Sequence, residues 1–216
     1  MTPRTRIAVC DYGVGNLRSV ERALLHVGAD VHVTGDPVTL REAAGLVLPG
    51  VGAFGAALDA LDRHGLRDTV IDIARSGRPM LGVCLGFQLL FQWSEENGGR
   101  EGLGLLPGRV VRIEESRGKV PHMGWNRLRV LRRSRLLEGI ADGTRMYFVH
   151  SYQAASVPSD ALVADCDYAG AIPAVVEVGS VAATQFHPEK SGADGLRLYA
   201  NFVGVCRAAT PAQLTA

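Results

Sequence analysis

The chain has 216 residues, 47% of them hydrophobic, and a formal net charge of +1. That length buries one sizeable core, and so small a net charge sets up no field to draw nucleic acid or a membrane surface. No apolar run reaches the roughly 18 residues of a spanning helix, no signal-peptide pattern opens the chain, and Cys10, Cys84, Cys166 and Cys206 form no CxxC pair; a cytoplasmic protein with reduced thiols and no zinc or other metal is expected.

The first half alternates strand and helix signals. Residues 6–10 read as a strand, followed by the turn Asp11-Tyr12-Gly13-Val14-Gly15-Asn16. Apolar residues at helical spacing (Leu17, Val20, Leu24, Val27) predict a helix over 17–27. Strands are predicted at 30–34, 45–48 and 79–83, and helices at 56–76, interrupted near His64-Gly65, and at 85–93. This order implies a mostly parallel sheet with right-handed crossovers, flanked by helices. In the second half, 108–114, 126–131, 145–154, 161–168, 174–178 and 181–186 read as strands joined by short turns, which predicts antiparallel additions to the sheet edge. A helix over 196–206 closes the domain, and the tail from 208 is expected to fray. The chain shows no repeat, low-complexity tract or linker, so residues 4–208 are read as a single domain. The basic cluster Arg127, Arg129, Arg132, Arg133 and Arg135 is read as a solvated face.

Gly82-Val83-Cys84-Leu85-Gly86 carries the chemistry. A short strand runs into a helix with a thiol at the corner, the pattern of a nucleophile elbow, and the flanking glycines leave room for the sharp turn. Unpaired N–H groups at the helix start favour the thiolate. The Leu85 N–H is placed to bind a developing oxyanion. The other three cysteines lack flanking glycines and read as core.

His187 follows the strand that ends at Phe186, and Pro188 has no N–H with which to continue the ladder. Glu189 can then point to the same side as His187. A carboxylate against one imidazole nitrogen fixes the tautomer and leaves the other nitrogen to take the thiol proton. The remaining histidines (His26, His32, His64, His122, His150) are read as structural or surface residues. Pro49-Gly50-Val51-Gly52 also follows a buried strand, and its backbone N–H groups could supply a second oxyanion donor. The segment from Asp11 to Asn16 tempts a dinucleotide reading but lacks the third glycine of G-x-G-x-x-G, where Arg18 stands.

These segments together resemble the class I (triad) glutamine amidotransferases. Asp11 to Val20, Lys119-Val120-Pro121-His122-Met123-Gly124-Trp125-Asn126, Tyr147 to Tyr152 and His187 to Ser191 narrow the likeness to the glutaminase subunits of imidazole glycerol phosphate synthase. The resemblance implies a flavodoxin-like amidotransferase fold and a Cys84-His187-Glu189 triad that hydrolyses glutamine without a cofactor. It implies oxyanion contacts from Leu85 and from Gly50, Val51 and Gly52. Gln88, one helical turn past Cys84, and Glu96 would contact the substrate. It also implies a (β/α)8-barrel cyclase subunit, docked over Asn16, Arg18, Trp125, Tyr147 and Lys190, that receives the ammonia. Three other readings stay open: a glutaminase serving another acceptor, a cysteine hydrolase of the same fold, and a non-catalytic scaffold.

Overall fold

The computed structural model describes residues 4–116 and 118–209. Of the tail expected to fray, 210–216 lie outside the described residues. The last helix runs on to Ala209.

Along the chain lie β1 (Arg6–Cys10), α1 (Leu17–His26), β2 (Asp30–Thr34), α2 (Pro37–Glu42), β3 (Gly45–Gly50), α3 (Phe54–Arg63), α4 (Arg67–Arg75), β4 (Met80–Cys84) and α5 (Leu85–Leu89). The second half adds β5 (Phe91–Ser94), β6 (Arg100–Glu101), β7 (Leu106–Arg112), β8 (His122–Val130), β9 (Arg145–His150), β10 (Tyr152–Ala155), β11 (Leu162–Asp167), β12 (Ala171–Val178), β13 (Val181–Thr184) and α6 (Gly192–Ala209), with 3-10 turns at Glu96–Gly98 and Pro188–Lys190.

Nine strands form one sheet in the order β2-β1-β3-β4-β13-β12-β11-β8-β9. It is parallel from β2 to β13 and antiparallel from β13 to β9. The central parallel strands β1, β3 and β4 are buried on both faces because helices cover both, whereas the edge strand β2 is half-buried and alternates. Ala8, Leu46, Leu48 and Met80 pack with Leu40, Leu58 and Val70 on one side. Ile7, Val9, Val47 and Leu81 pack with Val20, Leu24, Leu198 and Phe202 on the other.

β8 begins at His122 and α6 at Gly192, each four residues before the sequence reading, and four further departures shape the fold. The helix expected over 85–93 ends at Leu89, and Phe91–Ser94 is a strand. The cause is competition for carbonyls: Leu89 O accepts from Leu103 N (2.8 Å), and Leu90 O accepts from Leu105 N and Leu106 N (both 2.8 Å). Helix α2 was not anticipated. Asp36 caps it through Val38 N and Thr39 N, and Pro37 stands at its first position. β3 continues past Leu48 to Gly50, paired with Cys84.

The fourth departure is a second sheet, of order β10-β7-β5-β6. The segment 108–114 and the single strand 145–154 are expected on the main sheet; instead 145–154 divides into β9 and β10, and β10 pairs with β7 in the second sheet. The chain changes sheets at Ser151, where Ile113 N bonds to Ser151 O (2.9 Å).

Candidate active site

Three chain segments converge at the carboxyl end of the parallel strands, where open α/β sheets place their ligands. The register aligns Gly50 of β3 with Cys84 of β4, and Thr184 of β13 with Val83. His187 follows three residues later.

Cys84 adopts φ 54°, ψ −107°, a left-handed backbone that a residue with a side chain rarely takes. Its neighbours permit the bend. A Cβ on Gly82 would come within 2.7 Å of Leu90 Cδ1, and one on Gly86 would fall onto the carbonyl oxygen of Leu48. The helix that follows has five residues, so favourable charge at the thiol comes from the free N–H groups of its first turn rather than from a long dipole.

The His187 Nδ1 lies 2.8 Å from Glu189 Oε1, and the two side chains are 2% and 1% exposed. Burial pulls the His187 pKa down, but hydrogen bonds to Cys84 and Glu189 and the charges on both outweigh it and push it up to about 10. A base so raised suits the task of holding the proton that a thiol gives up when it attacks a carbonyl. The carboxylate is itself held: Asn16 Nδ2 donates to Glu189 Oε1 and Tyr199 Oη to Glu189 Oε2, both at 3.4 Å.

The His187 N–H donates to Tyr147 O (2.9 Å). Tyr147 N–H donates to Ser191 Oγ (3.0 Å), and Ser191 in turn donates to His187 O (2.6 Å). Strand β9 therefore fixes His187 from the side.

The segment from Pro49 to Gly52 lies directly on the elbow: a Cβ on Gly50 would stand 2.9 Å from Gly86 N and from Tyr12 Oη. The fully buried Tyr12 donates its hydroxyl to Pro49 O at 2.6 Å. Beyond this anchor the segment opens. Val51 is exposed, and Gly52 has φ +95° with nothing within 4 Å of a built Cβ.

Gln88 is buried, its Nε2 donating to Tyr152 O (2.9 Å) and Gln185 Oε1 (3.1 Å). Glu96 accepts from Phe54 N (2.8 Å), at the first turn of α3 immediately after the Gly52 loop.

Of the residues expected to dock a partner, Trp125 is 56% exposed and Met123 beside it 63%. Trp125 meets Tyr147 edge to face at 6.0 Å, with the Lys190 ammonium 5.8 Å from the Tyr147 ring. Arg18 is exposed nearby in sequence to Asn16, whose amide turns inward to the triad. The arginine cluster is a largely solvated face, with Arg127, Arg129, Arg133 and Arg135 exposed, and two of its members also pair with carboxylates. Arg129 forks onto the buried Asp165 carboxylate (2.8 and 2.6 Å), and Arg132 bonds to Glu177.

Sequence reasoning missed Tyr12, Ser191 and Tyr199. Hydroxyls buried by distant segments leave no local pattern, and only the spacing of His187 and Ser191, four residues apart, hints at their contact. Among the described residues no group of three or more His, Cys, Asp or Glu is arranged to hold a metal, and no helix is long and apolar enough to cross a membrane.

Comparison with known proteins gives the family. The family model for the class-I glutamine amidotransferases matches residues 8–205. The imidazole glycerol phosphate synthase subunit HisH of Methanothermobacter thermautotrophicus is 51% identical, covering 94% of this chain and all of the relative. The subunit of the same name from Halobacterium salinarum is 52% identical over 93% of each chain. Two solved structures share the fold. PurLQS from Thermotoga maritima has a TM-score of 0.75 at 21% identity, covering 94% of this chain and 99% of that one. A glutamine amidotransferase has a TM-score of 0.74 at 22% identity, covering 93% and 98%. The chain thus belongs to the class-I glutamine amidotransferases and, within them, to the HisH subunits of imidazole glycerol phosphate synthase.

Proposed function

We propose that this chain is the glutaminase subunit of an imidazole glycerol phosphate synthase of histidine biosynthesis, working in the cytoplasm through one catalytic domain spanning residues 4–208. The observation that carries the chemistry is the strained Cys84 elbow set against a His187 that is itself bonded to Glu189.

The Cys84 thiolate adds to the glutamine carboxamide, and the oxyanion is met by the Leu85 N–H and a donor from Gly50, Val51 or Gly52. The His187 imidazolium gives its proton to the departing nitrogen, and ammonia leaves a γ-glutamyl thioester. His187, now neutral, takes a proton from water as it attacks, and glutamate and the thiol are released. Glu189 keeps the ring in the required tautomer and stabilises its cation. Gln88 and Glu96 contact the substrate.

Ammonia set free in bulk water near neutral pH becomes ammonium, which is no nucleophile, so the reaction calls for a dry path to the acceptor. In this reading a (β/α)8-barrel cyclase subunit docks on the Trp125, Tyr147, Lys190 and Arg18 face. It uses the ammonia to make imidazole glycerol phosphate and the aminoimidazole carboxamide ribotide. The open Gly52 loop suits a switch that completes the oxyanion site when the partner holds its nucleotide.

The test is glutamate release by the chain alone and with a histidine-pathway barrel subunit and its nucleotide, with Cys84→Ala as control. Release that depends on the partner and vanishes in the variant is expected. Brisk release indifferent to the partner would point to a glutaminase serving another acceptor. Absence of release from folded protein under every condition would overturn the reading. Loop locking by Gly52→Pro should abolish the stimulation.

A further inference from the structure

His122 and His150, which the sequence leaves without a role, stand opposite each other on β8 and β9. Both are buried, with His122 Nδ1 3.0 Å from His150 Nε2. His150 Nδ1 lies 2.8 Å from Tyr152 O, and His122 Nε2 lies 3.3 Å from Asn126 Nδ2. The His122 ring is stacked on both Tyr168 (3.9 Å) and Phe148 (4.8 Å).

Each bond dictates the next. A carbonyl can only accept, so His150 carries its proton on Nδ1 and, being neutral, offers a lone pair at Nε2. His122 must then donate from Nδ1, which leaves its Nε2 as an acceptor for the Asn126 amide. That amide cannot turn round, because its Nδ2 also donates to Asp167 O (3.0 Å) and its Oδ1 accepts from Arg127 N (2.7 Å). Burial keeps both rings uncharged, pushing His150 down to about 3 and His122 to about 4. The chain of donors ends on Tyr152 O, the same oxygen that accepts from Gln88 Nε2.

We propose that His122 and His150 are positioning residues whose one-way chain of hydrogen bonds holds the Tyr152 carbonyl, and through it the Gln88 amide, so that Gln88 keeps its Oε1 turned to the glutamine substrate. This rests on the glutaminase reading of the site. The rival role for His122 is packing alone between two aromatic rings, and His122→Phe separates the two, since it keeps the stack and cuts the chain.

The experiment uses the full chain with its barrel subunit and nucleotide, and reads glutamate release against glutamine concentration for His122→Phe, His150→Leu and His150→Asn. In the first two, KM for glutamine should rise about tenfold, the worth of one fixed hydrogen bond, with kcat within about twofold. His150→Asn, whose amide nitrogen takes the place of Nδ1, should recover most of the loss. Unchanged KM in both cut variants, or His150→Asn no better than His150→Leu, would overturn the proposal.

A second measurement needs neither folding of the variants nor activity. Nitrogen-15 spectra of histidine-labelled parent protein at neutral pH should show both rings neutral with the proton on Nδ1. Either ring charged, or protonated on Nε2, would also sink the idea. A parent complex that releases no glutamate defeats the glutaminase reading alone, and the spectra still decide the hydrogen-bond chain.

Discussion

The sulfur of Cys84 lies 3.9 Å from the carbonyl oxygen of Val149. Two residues earlier on the same strand, Tyr147 O accepts from the His187 backbone, while the Tyr147 ring meets Trp125. Strand β9 therefore touches Cys84, His187 and the exposed aromatic patch. If the barrel subunit docks on that patch as proposed, it shares this strand with Cys84 and His187.

Trp125→Ala should weaken binding of the barrel subunit by about 2 kcal/mol or more, roughly 30-fold in Kd, as loss of an exposed aromatic anchor does. Partner-free glutamate release and melting temperature should not move. Calorimetric titration decides it, and an unchanged Kd would place the docking face elsewhere.

His187 gives a pH signature. Its pKa is raised from 6.5 to about 10: burial lowers it, but Cys84 and Glu189 more than compensate. A group whose pKa is higher folded than unfolded contributes its full stability below the unfolded value and loses it as pH rises through the folded one. The melting temperature should therefore fall between pH 6.5 and about 10. Cys84→Ala and Glu189→Gln should each flatten that slope, and slopes equal to the parent's would refute the coupling.

Glu189→Gln keeps the shape but removes the charge that stabilises the imidazolium. Release of glutamate should drop on the order of 10²- to 10⁴-fold, with KM little changed. Tyr199→Phe removes a single 3.4 Å bond to the same carboxylate and should cost on the order of tenfold or less. The reverse ranking in kcat would mean that Glu189 is not the orienting group.

At the elbow, Gly86→Ala sets a Cβ against the Leu48 carbonyl. Backbone cannot yield as a flexible side chain can, so a loss of about 3 kcal/mol or more is expected. Gly52→Ala meets nothing within 4 Å and should cost only about 1 kcal/mol, for the positive φ. Urea melts of the two variants check the order.

Glu96→Ala should lower stability by about 1 kcal/mol, because the first turn of α3 loses the acceptor for Phe54 N–H. It should also raise KM for glutamine if the carboxylate serves the substrate. A stability loss with KM unchanged would leave Glu96 as a helix cap alone.

Much of the parallel half was legible because its signals are local. Gly65 breaks the helical run between α3 and α4, and the glycines around Cys84 announce the bend. Asp36-Pro37 did carry a helix start, but the helix has only six residues and leaves little apolar period to read. The end of α5 was not legible, since it depends on Leu103, Leu105 and Leu106 taking carbonyls from the far side of a loop. For the same reason the second sheet escaped the sequence: β7 meets β10 by a register that spans 40 or more residues of chain, not by its own alternation. At the site, Cys84, His187 and Glu189 stood out because a glycine pair and a His-Pro-Glu run are short-range patterns. Tyr12, Tyr199 and the His122–His150 contact arise only when distant strands and helices meet.

Cys84 takes φ 54°, ψ −107° between Gly82 and Gly86, which Leu90 and the Leu48 carbonyl approach too closely to admit a side chain, and such a posture persists only while its surroundings dictate it. A substitution that loosens this packing should therefore disturb the aim of the thiol at little cost to the sheet beneath it.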